Sequence, residues 1–205
     1  MNILFIGAHT DDIELGALGS FHFLSKSHNL TYLSLSRCTD LPRNKGKILH
    51  ESNQVKRNLS ELGAQVIMRN FRNRFFGEES HDIREFLENT KEEFNPSVVF
   101  THWENDVHQD HQVVTSEVKR VFKNSTLLGY ECLSSCFGFS PNFYIPISKE
   151  DLDYKLNTLS LYVSQKGLPY FTSRSINSLA VVRGSEIREG YAEGFHLMRG
   201  IWRNF

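Results

Sequence analysis

The sequence predicts an α/β fold on a mostly parallel sheet, a Rossmann-like three-layer sandwich with helices on both faces. Short apolar, β-rich runs alternate with amphipathic stretches through the first two-thirds of the chain, the pattern of βαβ units. Two clusters of His and Asp each follow directly on such a run, where the carboxyl ends of parallel strands collect polar side chains along one edge. The 205 residues, 40% hydrophobic and 23% charged, suffice for one sizeable core, so a single domain over residues 1–205 is expected.

Taken in order, the predicted strands are 2–8, 31–36, 65–70, 97–101 and 127–132. Between them, 47–62 and 82–94 carry apolar residues near helical spacing. Gly63 is placed to stop the first helix, and Asn95-Pro96 ends the second. In the last third, Ser148 with Asp151 resembles an N-terminal capping pair, opening a helix through Leu152, Leu156, Leu159 and Val163. Gly167-Leu168-Pro169 breaks that pattern, and 178–183 reads as a late strand. There is no internal repeat or low-complexity linker.

Composition narrows the function. Lys plus Arg total 23 against 24 Asp plus Glu, which lacks the basic excess of a nucleic-acid or anionic-membrane binder and favours a small-molecule partner. Cys38, Cys132 and Cys136 are too few and too scattered for a disulfide framework, which suits a reducing cytoplasm. The opening residues do not read as a signal peptide, and no apolar run approaches the ~20 residues of a membrane span. The chain is compatible with a homo-oligomer. No Gly-x-Gly-x-x-Gly follows the first strand, so a dinucleotide cofactor is not supported.

Chemistry concentrates in the two clusters. Gly7-Ala8-His9-Thr10-Asp11-Asp12-Ile13-Glu14-Leu15-Gly16 leaves the first strand, and Thr101-His102-Trp103-Glu104-Asn105-Asp106-Val107-His108-Gln109-Asp110-His111 leaves the fourth. Adjacent carboxylates beside an imidazole suit a divalent metal, since one can ligate while its neighbour handles a proton. An Asp-Asp pair alone serves equally well as a helix cap, and a lone His-x-x-His often merely decorates a helix. Two such clusters on one sheet edge point instead to a metal site at the carboxyl ends of the strands.

These motifs resemble the PIG-L/LmbE family of zinc-dependent N-deacetylases, which share an Ala-His-Pro-Asp-Asp opening and a later His-x-Asp-His. Here they stand as Ala8-His9-Thr10-Asp11-Asp12 and His108-Gln109-Asp110-His111. Weaker landmarks follow in the same order: Glu51 before Leu62-Gly63, Pro96 to Phe100, Ser164-Gln165, and Tyr191 to Phe195. The resemblance implies hydrolysis of the acetyl group from an N-acetylated sugar or sugar conjugate. It places Zn2+, or another divalent metal in the cell, on His9, Asp12 and His111, with Asp11 as catalytic base. His108 falls on the histidine that meets the oxyanion or the leaving amine, with Asp110 as its orienting partner. Three protein ligands leave a fourth zinc position open, as a catalytic site requires. Another small N-acyl amine as substrate, or a non-catalytic sugar-binding module, are the alternatives.

Thr10 stands where the family has proline, and altered loop rigidity is expected, with the Thr10 hydroxyl available for a compensating hydrogen bond. Ile48 replaces a basic residue, leaving Arg43 or Lys47 to substitute as the substrate cation. Arg72 and Arg74 on the loop after the third strand are candidates for a phosphate. Trp103 and Tyr130, each near a strand's carboxyl end, are candidates to stack on a sugar ring. Glu14 is read as support for the loop, His102 and Asp106 as pocket border or loop supports, and Cys132 and Cys136 as buried or free thiols.

Overall fold

The computed structural model describes residues 1–40 and 45–201. Five parallel strands, β1 (Asn2–His9), β2 (Asn29–Ser36), β3 (Gln65–Met68), β4 (Val98–His102) and β5 (Thr126–Tyr130), are joined by helical crossovers. The crossover helices are α1 (Asp12–Ser25), α2 (Lys45–Glu61), α3 (Ser80–Phe94) and α4 (Gln109–Val121). After β5 come β6 (Phe143–Pro146), α5 (Lys149–Leu159), α6 (Ser173–Glu186) and β7 (Ala192–Arg199). The sheet order is β3-β2-β1-β4-β5-β7-β6, with β7 antiparallel to both neighbours.

The central strands are buried on both faces, as helices above and below require. Along β1, Ile3 and Phe5 join the core that includes Phe21 of α1, with Phe5 stacked on Phe100 at 4.3 Å between centroids. Leu4, Ile6 and Ala8 point the other way, against Leu87 of α3 and Val114 and Val118 of α4. The period of two along the strand thus supplies both layers.

Local punctuation follows the chain chemistry. Gly63 takes φ 77° after α2, and Asn95 takes a left-handed cap before Pro96. Ser148 and Asp151 close a reciprocal capping box on α5. That helix ends at Leu159, and Val163 instead opens a short 3-10 turn with its side chain exposed.

The late strand expected at 178–183 is a correction: those residues lie inside α6. Ile176, Ala180 and Gly184 are buried four residues apart, while Val181 and Val182 face solvent. The small residues allow close packing: a Cβ on Gly184 would stand 2.7 Å from the Glu189 carbonyl oxygen. Packing therefore outweighs the β preference of the adjacent valines. The sheet is instead completed by β6 and β7, absent from the predicted strands.

Candidate metal centre

Both His/Asp clusters meet because β1 and β4 are neighbours and end at the same edge. His9 is the last residue of β1, and Asp12 opens α1 three residues later. The turn is tight enough for Asp12 Oδ2 to accept from the His9 backbone N–H at 2.7 Å. Asp11 between them has φ 146°, outside the normal range for a side-chain-bearing residue, the kind of backbone tension that functional turns retain. His108 caps α4, accepting at Nδ1 from the Asp110 N–H at 3.2 Å, and His111 sits in the first turn.

His9 Nδ1 lies 3.4 Å from Asp12 Oδ2, and His111 Nε2 lies 3.3 Å from Asp12 Oδ1. Bonds of about 2.0–2.1 Å from a tetrahedral ion place its donor atoms about 3.3 Å apart, the spacing of each of these two pairs, which meet different oxygens of Asp12. Among the described residues, the donor atoms that lie within 4.8 Å of one another form two groups that share His111: Asp12, His102, His111 and Cys132, and His9, His108 and His111. The other nitrogen of each ring is fixed by a buried carboxylate: His9 Nε2 meets Asp110 Oδ2 at 3.0 Å, and His111 Nδ1 meets Asp106 Oδ2 at 2.8 Å. That arrangement sets the orientation and basicity of a metal-binding imidazole.

The electrostatics agree. Burial opposes a charge on His9, but Asp12, Asp110 and Asp11 outweigh it and raise its pKa to about 10. His111 rises to about 9 against the same burial, chiefly through Asp12 and Asp106. The pocket is thus built to hold positive charge. Burial disfavours the Asp12 carboxylate, yet His111, His102 and His9 draw it well below the usual range. Asp11 moves the other way, held well above that range by burial and by Asp12. Adjacent carboxyls are driven apart, one toward permanent charge and one toward proton exchange.

A cleft of about 300 Å³ opens over these groups. His9, Thr10, Asp11, Asp12, His108 and His111 line it, with Arg74, Cys132, Tyr162 and Tyr170 among the others. The Asp11 carboxylate makes no hydrogen bond among the described residues. Since His108 Nδ1 accepts a backbone N–H, its proton sits on Nε2 as a donor; burial and the two neighbouring imidazoles keep the ring neutral by lowering its pKa.

Several expectations are revised. Asp110 supports His9 and the Arg74 N–H (2.7 Å) through its side chain, while only its backbone meets His108. The orienting partners are therefore Asp110 for His9 and Asp106 for His111. Tyr130 is fully buried, donates to the Ile6 carbonyl at 2.8 Å, and lies against Gly16, where an added Cβ would approach its ring to 2.3 Å. Trp103 is buried edge-on to Phe139. Neither ring lines the cleft: Tyr130 is covered by α1 at Gly16, and Trp103 packs against Phe139 in the loop after β5. Arg72 is paired with Glu78 and Glu79, and Lys47 is exposed away from the cleft.

Arg43 lies outside the described residues. Arg74, at φ 70°, is the one Arg or Lys among them that lines the cleft, and Ile48 lines it as an apolar contact. The Thr10 hydroxyl makes no hydrogen bond among the described residues; the Asp12 carboxylate braces the turn instead.

Glu14 is buried and accepts from Tyr32 (3.0 Å) and Tyr162 (2.8 Å), a support for the cleft wall. His102 is likewise a support: its Nε2 accepts from the Ala8 N–H at 2.9 Å and its ring stacks on His111. Cys132 enters the cleft lining from beyond β5, a place that its spacing in the chain did not signal.

Comparison with known proteins adds the following. The family profile described as PIG-L, GlcNAc-PI de-N-acetylase, matches residues 4–122. No curated protein matches the chain by sequence. Among solved structures, it is similar to the conserved protein TT1542 from Thermus thermophilus, at 20% identity and TM-score 0.79, over 98% of this chain and 96% of that one. It is similar to N,N'-diacetylchitobiose deacetylase from Pyrococcus horikoshii, at 18% identity and TM-score 0.69, over 96% and 83%. It is also similar to GalB, the 4-carboxy-2-hydroxymuconate hydratase from Pseudomonas putida, at 15% identity and TM-score 0.77, over 100% and 99%. Because a deacetylase and a hydratase share this architecture, likeness of fold carries no reaction by itself.

Proposed function

The chain belongs to the PIG-L family of de-N-acetylases, and from that premise we propose that it is a zinc-dependent hydrolase removing the acetyl group from an N-acetylated sugar or sugar conjugate. The observation that carries the reading is the pair of imidazoles facing Asp12 at 3.3 and 3.4 Å, each backed by its own carboxylate. His9, Asp12 and His111 hold the ion in this scheme, through Nδ1, the carboxylate and Nε2. When bound, a divalent ion supplies Lewis acidity, polarising the amide carbonyl and lowering the pKa of water.

Asp11 is the base. Its carboxylate is free of hydrogen bonds among the described residues, lines the cleft, and sits next to the ligand Asp12, where it can take the proton of an attacking water. His108 then meets the charge developing on the amide oxygen. Its Nε2–H is the fixed donor left by the helix cap, and it can pass a proton to the departing amine. Asp110 and Asp106 keep His9 and His111 aimed.

The cleft suits a small polar ligand: about 300 Å³ falls at the low end of ligand sites, room for one sugar ring with a conjugate extending outward. Its lining is mostly polar, and Arg74 stands at the cleft for an anionic conjugate. Among the described residues, no helix is long and apolar enough to cross a membrane.

The test is acetate release by the zinc-loaded protein from free, nucleotide-linked, lipid-linked and thiol-linked N-acetylhexosamines, beside simple N-acyl amines. Cleavage of at least one sugar is expected. Cleavage confined to the simple amines would replace the sugar reading with a general amidohydrolase.

A further inference from the structure

Cys132 has no part in the mechanism above, yet it stands at the metal edge. Two residues past the end of β5, it is 1% exposed and lines the cleft. Its sulfur, a carboxylate oxygen of Asp12 and imidazole nitrogens of His102 and His111 all lie within 4.8 Å of one another. Asp12 and His111 thus belong both to this cluster and to the His9, Asp12 and His111 set proposed above as the ligands, while His111 is the residue shared with the observed group of His9, His108 and His111.

His102 does not ligate in the second set. Its Nε2 lone pair is occupied by the Ala8 N–H at 2.9 Å, which places the ring proton on Nδ1. That Nδ1–H faces the Cys132 sulfur at 3.9 Å. Burial and the neighbouring Asp12 hold the Cys132 thiol well above its ordinary range, so it is the charge of a bound cation that releases the proton and gives the thiolate that binds metal.

We propose that Cys132 is a donor for thiophilic divalent ions, forming with Asp12 and His111 a second binding position that excludes occupation of the His9 position. As the metal–sulfur bond forms, the S–H bond breaks and its proton leaves to solvent; no oxidant or reductant takes part. Thiolates favour soft ions such as Cd2+, whereas imidazole and carboxylate suit Zn2+ and harder ions. The two positions therefore sort ions by softness within one cleft. This inference rests on Asp12 and His111 being metal ligands, as proposed above.

The experiment is a Cd2+ titration of the full, metal-stripped chain, followed by ultraviolet thiolate-to-cadmium charge transfer, with Zn2+ binding measured on the same preparation. The wild type develops the band at one equivalent. The variant C38S/C136S, in which Cys132 is the remaining thiol, keeps it, and so does H9A. In C132S the band is gone and Cd2+ binds at least about tenfold more weakly, the minimum expected when even an outer support of a metal site is lost.

Absence of the band in the wild type, its persistence in C132S, or its loss in C38S/C136S overturns the assignment. If Zn2+ binds while the band is missing, only the role of Cys132 falls. If neither ion binds the wild type, the metal centre falls with it.

Discussion

Replacing Asp106 with Asn tests the metal centre through a residue that touches no substrate. Asp106 is fully buried and accepts four hydrogen bonds: Oδ1 from the His108 N–H at 2.8 Å, and Oδ2 from His111 Nδ1 at 2.8 Å, Ser135 Oγ at 2.9 Å and Cys136 Sγ at 3.3 Å. Burial opposes its charge, but His111 and the His108 N–H outweigh that and hold it to about 2. Asn keeps the volume and one carbonyl oxygen. If that oxygen serves the His108 N–H, an N–H₂ group is turned toward His111 Nδ1.

His111 must then lose the hydrogen bond or move its proton to Nε2, the nitrogen that faces Asp12. A proton there competes with the ion. Loss of a supporting partner costs roughly 10–100-fold in metal affinity, about 1.4–2.7 kcal/mol, and the tautomer conflict puts Asp106→Asn at the upper end. Zinc affinity by competition with a chromophoric chelator is the assay, with circular dichroism confirming the fold. An affinity within threefold of wild type, in a folded variant, would refute the assignment of Asp106 as the group that aims His111.

Three further outcomes are expected. Asp11→Asn removes basicity at nearly constant size, so metal content stays near wild type while turnover falls roughly 10²–10⁴-fold; loss of zinc in this variant would mean the two aspartates were assigned in reverse. Burial lifts Glu14 to about 7 despite its hydrogen bonds from Tyr162 and Tyr32, so the folded state binds this proton more tightly than the unfolded one. Its contribution is fully present below the ordinary 4.5 and is lost as pH rises through about 7, by at most roughly 3 kcal/mol. Urea melts of Glu14→Gln should therefore lose less stability than wild type between pH 5 and 8, and parallel profiles would contradict the shift. Gly16→Ala forces a methyl to 2.3 Å from Tyr130 Cδ2, and a loss of about 1–3 kcal/mol is expected; an unchanged melting temperature would show that α1 does not rest on that ring.

The placement of His9, Asp11 and Asp12 was legible in the sequence because it is local. A strand's end, a one-turn reversal and a helix start lie within four residues, and the apolar run before them announces the strand. The parallel βαβ arrangement was legible for the same reason: the stretches 47–62 and 82–94 carry a helical period and their own stops at Gly63 and Asn95-Pro96, whereas α1, buried without a break from Asp12 to His22, shows no such period. What a cluster residue touches was not legible. Asp110 meets His9 across 101 residues of chain, and Tyr130 meets Ile6 across 124, contacts created by the order β1-β4-β5.

The same physics separated the misread segments from the rest. Residues 178–183 carry two adjacent valines, whose β preference is worth less than burying Ile176 and Ala180 on one helical face. Residue types and spacing determined which side chains are capable of holding a metal, since ligand chemistry belongs to the residue itself. Tertiary structure alone decided which nitrogen of each imidazole is free, which carboxylate fixes the other, and that a cysteine from beyond β5 shares the edge. Those properties depend on distances of a few ångströms between segments that only the folded sheet brings together.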